Sequence, residues 1–404
     1  MVAQREHDEG PEGPVTLQAV AEARDLLRNV LRPTPAFVSE AVSFVVGRTV
    51  ILKPENRQRT GSFKIRGAYN RIAGLEPGTR VVAASAGNHA QGVALAASLV
   101  GCPAVVFMPA DVALPKLAAT RGYGAEVVLV DGDVDDAIAA AKLADGFFVP
   151  PFDDPLVVAG QGTIGLELLD EAPGVETVVV PVGGGGLAGG IGVAMAGAAD
   201  VVGVEPSGAA SMALSIEAGR PVPLLAMSTI ADGIAVRAPS ALTLELAKRH
   251  VERLVTVSDE DISRALLLLL ERVKTVVEPA GAAALAALLA GKIPGDGPVA
   301  VVLSGGNVDP ILLGRLIEHG LSASGRYLVL DVVLADRPGS LANLTGELAR
   351  LALNVVDVEH HRAGGRLPVN QVDVRLTLLT RDPAHSVEVV DTLRASGFSV
   401  RLVD

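Results

Sequence analysis

Lysine 64 stands in RTGSFKIRG, residues 59–67, among a phenylalanine, small polar residues and two arginines. An ε-amine attacks a carbonyl only when part of it is unprotonated, a condition that burial or a nearby cation creates. Phe63 could supply an apolar wall and Arg66 the cation. Most lysines are solvated and catalyse nothing, so Lys64 needs partners before it names a reaction. Three glycine-bearing turns could provide them. In SAGNHAQG, residues 85–92, Ser85, Asn88 and His89 crowd polar groups suited to a carboxylate or a ring oxygen. Ser85 or Asn88 could equally cap the helix that follows. In PVGGGGLAGG, residues 181–190, glycines let main-chain N–H groups approach an anion, and the next helix turns the positive end of its dipole toward it. Phosphate is the natural guest. Gly184, Gly186 and Gly189 also satisfy the dinucleotide fingerprint G-x-G-x-x-G, with Glu205 behind a further strand, as a nicotinamide-dependent oxidoreductase would require. In LSGGNVDP, residues 303–310, Ser304 offers a hydroxyl that donates to a neutral ring nitrogen or accepts from a protonated one, although Ser-Gly-Gly-Asn is also ordinary turn chemistry.

Alternating elements must hold these turns. RVVAAS, CPAVVFMP, AEVVLV, TVVVPV, DVVGVEP and GPVAVVLSGG read as strands, separated by helical runs such as HAQGVALAASLV, LPKLAATRGYG and VDDAIAAAKLA. Continuously apolar strands bury both faces, so the pattern predicts parallel sheets covered by helices, with ligands at the carboxyl ends of the strands. From 178 to 199 no charge occurs, a length that could cross a bilayer. Eight glycines and Pro181 predict a buried strand, loop and small-residue helix instead. After GLSASG, residues 320–325, the order becomes β-α-β-β-α-β, the ferredoxin-like arrangement. The expected organisation is a catalytic domain over 1–321 with a smaller subdomain at roughly 79–152, a linker at 322–325 and a second domain over 326–404.

Bulk composition narrows the class. The 404 residues suffice for two or three domains and a large core. With 34 basic against 46 acidic residues the formal charge is −12, and no basic stripe offsets it, which argues against a nucleic-acid partner. The polar, acidic N-terminus lacks the cationic start and apolar centre of a secretory signal. Cys102, the single cysteine, reads as a small buried hydrophobe, and a lone thiol fits a reducing, cytoplasmic setting without a membrane.

Four stretches in order, RTGSFKIRGA, SAGNHAQGVA, PVGGGGLAGG and LSGGNVD, resemble the motifs of the fold-type II pyridoxal-phosphate enzymes, the tryptophan synthase β-subunit-like family. Within it, the region from about 15 to 321 is similar to the threonine dehydratases, also called threonine ammonia-lyases, and to serine racemase. LADRPGSLANLTGELA followed by LNVVDVEHH resembles an ACT regulatory domain. The implied fold is α/β: a catalytic domain of two parallel-sheet subdomains plus a ferredoxin-like ACT domain. The resemblance implies that Lys64 holds pyridoxal 5′-phosphate as a Schiff base, beside Phe63. Asn88 would meet the ring's phenolic oxygen, Gly183, Gly184, Gly185, Gly186 and Leu187 its phosphate, and Ser304 its pyridine nitrogen. Ser85, Gly87, Asn88 and His89 would hold the substrate carboxylate. The implied reaction is dehydrative deamination of L-threonine to 2-oxobutyrate and ammonia, with L-serine as secondary substrate.

Alternatives within the resemblance are a serine-preferring dehydratase and a serine racemase-like enzyme; outside it stand the oxidoreductase and a non-catalytic amino-acid sensor. Ala86 occupies the place of the racemase's second serine, which favours the dehydratase. The racemase's divalent site matches Glu205, Ala209 and Ser211, where Ser211 replaces a carboxylate, so a tight divalent site is not expected and a weaker monovalent cation stays open. Glu278, in VVEPAGA, receives no role. Asp336, Gly339, Leu341 and Asn354 would line an amino-acid effector site between paired ACT sheets, isoleucine being one candidate, and a homodimer or homotetramer is expected.

Overall fold

Apolar, β-branched strands pair where both their faces can be covered. The computed structural model, which describes residues 13–361, 368 and 370–403, divides into two compact units, 1–310 and 311–404. The strands of the first are β1 (Phe37–Val38), β2 (Val50–Lys53), β3 (Val81–Ala84), β4 (Ala104–Pro109), β5 (Glu126–Val130), β6 (Phe147–Phe148), β7 (Thr177–Pro181), β8 (Asp200–Pro206), β9 (Arg253–Val257) and β10 (Val299–Val302). They form a six-stranded sheet, β1-β2-β10-β7-β8-β9, parallel except for β1, and a four-stranded parallel sheet, β5-β4-β3-β6. β3 and β10 are buried along their whole length, which is why they read as unbroken apolar runs. The uncharged run resolves into β7, a turn and the helix Gly186–Met195. Among the described residues no helix is long and apolar enough to cross a membrane.

Glycines set how deeply the helix that begins at Lys64 is seated. The helices Lys64–Ile72 and Pro155–Glu171 meet backbone to backbone: a Cβ on Gly160 would lie 2.7 Å from both Arg66 O and Gly67 Cα. Charge anchors the same helix. Arg66, 1% exposed, donates from Nε and Nη2 to Glu55 at 2.8 Å and from Nη1 to Glu167 at 2.6 Å. Buried Lys53 pairs with Glu167 and Glu171, each at 2.7 Å. Burial alone would weaken the Arg66 cation; Glu55 and Glu167 outweigh it and raise its pKa.

The second unit contains most of the helix Pro310–Ala323, then β11 (Tyr327–Ala335), the helix Ser340–Arg350, β12 (Val355–His361), β13 (Gln371–Leu379), the helix Pro383–Ala395 and β14 (Ser399–Leu402). Its antiparallel sheet, β12-β13-β11-β14, follows the β-α-β-β-α-β order. Leu328, Leu330, Val332 and Leu334 alternate inward with Val372, Val374, Leu376 and Leu378 to form its core. The first helix covers residues 322 and 323, where composition suggests a linker, because Leu313, Leu316, Ile317 and Leu321 carry an apolar stripe past Gly320.

Candidate active site

Lys64 is delivered by a strained turn. Thr60 has φ 62°, a left-handed conformation costly for a β-branched residue, and Gly61 follows at φ 72°. The turn is pinned to the loop after β10: Phe63 N donates to Ser304 O at 3.2 Å, Gly306 N to Gly61 O at 2.9 Å, and Ser62 bridges Gly305. Lys64 then lines a cavity of about 520 Å³. Its Nζ donates to Pro151 O at 2.9 Å and sits 5.2 Å from the Phe63 ring centroid. Burial lowers its pKa to about 8 against the opposing pull of Glu278, so a usable fraction of the amine is neutral near physiological pH.

Residues 183–187, residues 85–89 and Ser304 line this same cavity, so every cofactor and carboxylate position expected from the sequence is brought together. Gly185, at φ 89°, is the left-handed N-cap of the helix Gly186–Met195, and a Cβ on Gly184 would fall on the Phe152 ring. Phe152 and Pro151 are cavity residues that carried no motif signal. After β3, Ser85 Oγ accepts from Gly87 N at 3.0 Å, and the helix Asn88–Val100 begins. His89 Nε2 lies 2.9 Å from Val149 O, and a carbonyl only accepts, so Nε2 carries the proton. Burial, and next Lys64, push the His89 pKa down to about 3. The neutral ring has no N–H left for a carboxylate, which narrows the part of His89 to its main-chain N–H.

Glu278 also lines the cavity, and its Oε1 accepts from Asn88 Nδ2 at 2.6 Å. Burial, and next Asp232, push its pKa up to about 7, while Lys116, paired with Asp232 at 2.6 Å, opposes them. Asp232 and Lys116 lie far from the four motifs in sequence; only the fold joins them.

Glu205 gives the dinucleotide reading no support. Its Oε1 and Oε2 accept from Met212 N at 2.7 Å and Ala213 N at 2.9 Å, which ties the carboxylate to the helix Ser211–Ala218 and leaves it out of the lining of the glycine-turn cavity. Gly189 serves packing: its Cβ would lie 3.0 Å from Leu246 Cβ. Ala209 and Ser211 bring no second carboxylate to Glu205, and among the described residues no group of three His, Cys, Asp or Glu side chains is placed to hold a metal ion.

In the second unit Asp336 follows β11 with its N–H on Asn370 O, and Gly339, at φ 92°, caps the helix carrying Leu341. Asn354 precedes β12, where its carbonyl accepts from Leu379 N. The register puts Leu379 beside Tyr327, at the opposite end of β11 from Asp336. The nine residues of β11 therefore separate Asn354 from the other three positions, about 27 Å within one chain.

An amine of lowered basicity, a glycine turn at a helix N-terminus, an amide and a hydroxyl in one cavity are the donor set that a phosphorylated pyridine aldehyde needs. A family model described as pyridoxal-phosphate dependent enzyme matches residues 27–305. An L-threonine ammonia-lyase of Thermotoga maritima is 46% identical over 400 residues, covering 96% of this chain and 100% of that protein. Another, of Geobacter sulfurreducens, is 44% identical, with 96% and 98% covered. The crystal structure of a T.th. threonine deaminase matches with a TM-score of 0.69 at 40% identity, over 73% of this chain and 99% of that one. Motifs, cavity and relatives agree, and the chain belongs to the pyridoxal-phosphate dependent enzymes, in their fold-type II, tryptophan synthase β-subunit-like branch.

Proposed function

We propose that the protein is a carbon–nitrogen lyase converting L-threonine to 2-oxobutyrate and ammonia, with L-serine giving pyruvate as a secondary reaction. The observation that carries this reading is the Lys64 amine, weakened as a base by burial and set in one cavity with the glycine turn and the 85–89 turn. Relatives named for threonine supply the substrate. Bound at Lys64, pyridoxal 5′-phosphate supplies an electron sink for negative charge at the substrate Cα. Residues 183–187 hold its phosphate, Asn88 its phenolic oxygen and Ser304 its ring nitrogen, with Phe63 packed beside it. The Lys64 amine, held in the cavity beside the 85–89 turn, would be the base that takes the Cα proton. Ser85 and the N-terminal main-chain amides of the helix Asn88–Val100, those of Asn88 and His89 among them, attract the substrate carboxylate.

Ser304 cannot hold the ring nitrogen protonated as a carboxylate would, which favours rapid loss of the β-hydroxyl over transamination. Ala86 has no hydroxyl to return a proton from another face, which favours elimination over racemisation. The second unit is read as an ACT-like module, with Asp336, Gly339, Leu341 and Asn354 in an effector site, on a cytoplasmic homodimer or homotetramer.

The test is a steady-state assay of oxoacid release from threonine and serine with added pyridoxal phosphate. Lys64→Ala should lose about 10³-fold or more of the rate. A variant that keeps the rate, or a wild-type protein that yields oxoacid from neither amino acid, overturns the proposal.

A further inference from the structure

The two ends of a carboxamide have nearly the same shape, so a side chain that must present its NH₂ needs something to stop it turning over. Asn88 is such a side chain: two neighbours, Asn307 and Glu278, hold its two ends, and Thr60 fixes the first of these neighbours. Asn307 Nδ2 lies 2.7 Å from Thr60 O and 2.8 Å from Asn88 Oδ1. Thr60 O is a main-chain carbonyl and only accepts, so the Asn307 atom facing it is nitrogen. The same nitrogen faces Asn88, whose nearer atom is therefore the oxygen. Asn88 Nδ2 is left pointing at Glu278 Oε1, 2.6 Å away. Glu278 can serve whether ionised or not, since either form has an oxygen able to accept. One of the two Nδ2 hydrogens then remains for the cavity that Asn88 lines.

The backbone leaves room for this chain of amides. A Cβ on Gly61 would fall on the Asn307 carboxamide, and a Cβ on Gly305 would fall on the Glu278 carboxylate, 3.0 Å from Asn88 Nδ2. Thr60, whose carbonyl starts the sequence of bonds, is held in the left-handed region despite its branched side chain.

We infer that Asn307 and Glu278 are positioning residues that lock the Asn88 carboxamide with its NH₂ toward the phenolic oxygen of the cofactor, the direction being set by the Thr60 carbonyl. This rests on the pyridoxal-phosphate reading of the cavity. Turned over, Asn88 would bring an acceptor oxygen against an oxygen carrying negative charge, losing a hydrogen bond of the charge-assisted kind.

A double-mutant cycle tests it on the holoenzyme without reference to turnover. Asn88→Ala, Asn307→Asp and the double variant are saturated with pyridoxal phosphate, and two quantities are read: the visible absorbance maximum of the lysine-bound cofactor and the cofactor dissociation constant by equilibrium dialysis. Asn307→Asp replaces the donor with an acceptor and should displace the band in the same direction as Asn88→Ala. It should weaken cofactor binding about tenfold or more, the loss expected for a hydrogen bond to a charged oxygen. Asn307 also donates to Thr60 O, so the double variant separates the two routes: if Asn307 reaches the cofactor through Asn88, the double variant should lose no more than Asn88→Ala alone. Asn307→Ala, which removes the amide without adding charge, carries the same cycle if Asn307→Asp fails to fold. An unchanged band and affinity at position 307, or losses that add in the double variant, overturn the inference. A wild-type protein with no lysine-bound band overturns the cofactor reading, and this inference with it.

Discussion

Loss of solvent moves His89 and Glu205 away from their ordinary proton affinities, each toward its neutral form. Glu205, pushed by burial to about 7 against the pull of the Met212 and Ala213 amides, binds a proton in the folded state at a pH where the unfolded chain has released it. Its contribution to stability is therefore present below about pH 4.5 and is lost as pH rises toward 7. His89 has the opposite sign: with its pKa lowered, stability is present above about 6.5 and is lost as pH falls toward 3. Urea unfolding of the cofactor-free protein should show wild type losing ground to Glu205→Gln between pH 5 and 8, by about 3 kcal/mol at 1.4 kcal/mol per pKa unit. A difference that does not change with pH would mean the carboxyl titrates normally. Neither shift is legible in sequence. Lys64 and the glycine turns stand out there because their residue types are unusual in a row, whereas Asn307 and Glu278 look like ordinary turn and helix-cap residues until the fold sets them on either side of Asn88.

The helix Lys64–Ile72 shows which features of an element a linear pattern carries. Its flanking strands announce themselves because burial on both faces demands apolar residues throughout. The anchoring of the helix does not: Lys53, Glu55, Arg66 and Glu167 read as four charges with no common address, yet they form one buried cluster. Removing one member leaves others uncompensated. Arg66→Met should destabilise the protein by about 3–5 kcal/mol through Glu55 and Glu167, and adding Glu55→Leu should recover part of that loss. Denaturant unfolding decides: a single variant within about 1 kcal/mol of wild type would show that the cluster contributes little. Gly160 has the same hidden character, its need for no side chain being visible only once Arg66 and Gly67 lie against it.

At the scale of the whole chain, the β-α-β-β-α-β order made the second unit's sheet legible, while the division at 310/311 was not, because it falls where the helix Pro310–Ala323 begins and the change of composition comes only near that helix's other end. Each unit has its own apolar core. The fragment 311–404 should accordingly fold alone, giving mixed helix and strand signal by circular dichroism and one cooperative melt; a broad, non-cooperative loss of signal would contradict this. The placing of Asn354 and Asp336 at opposite ends of β11 bears on any small molecule that uses both. Such a molecule has to be shared by two subunits, and a twofold axis would then generate a symmetric couple of sites rather than one. Its apparent affinity would be tied to the population of assembled pairs, so diluting the protein alone would release it.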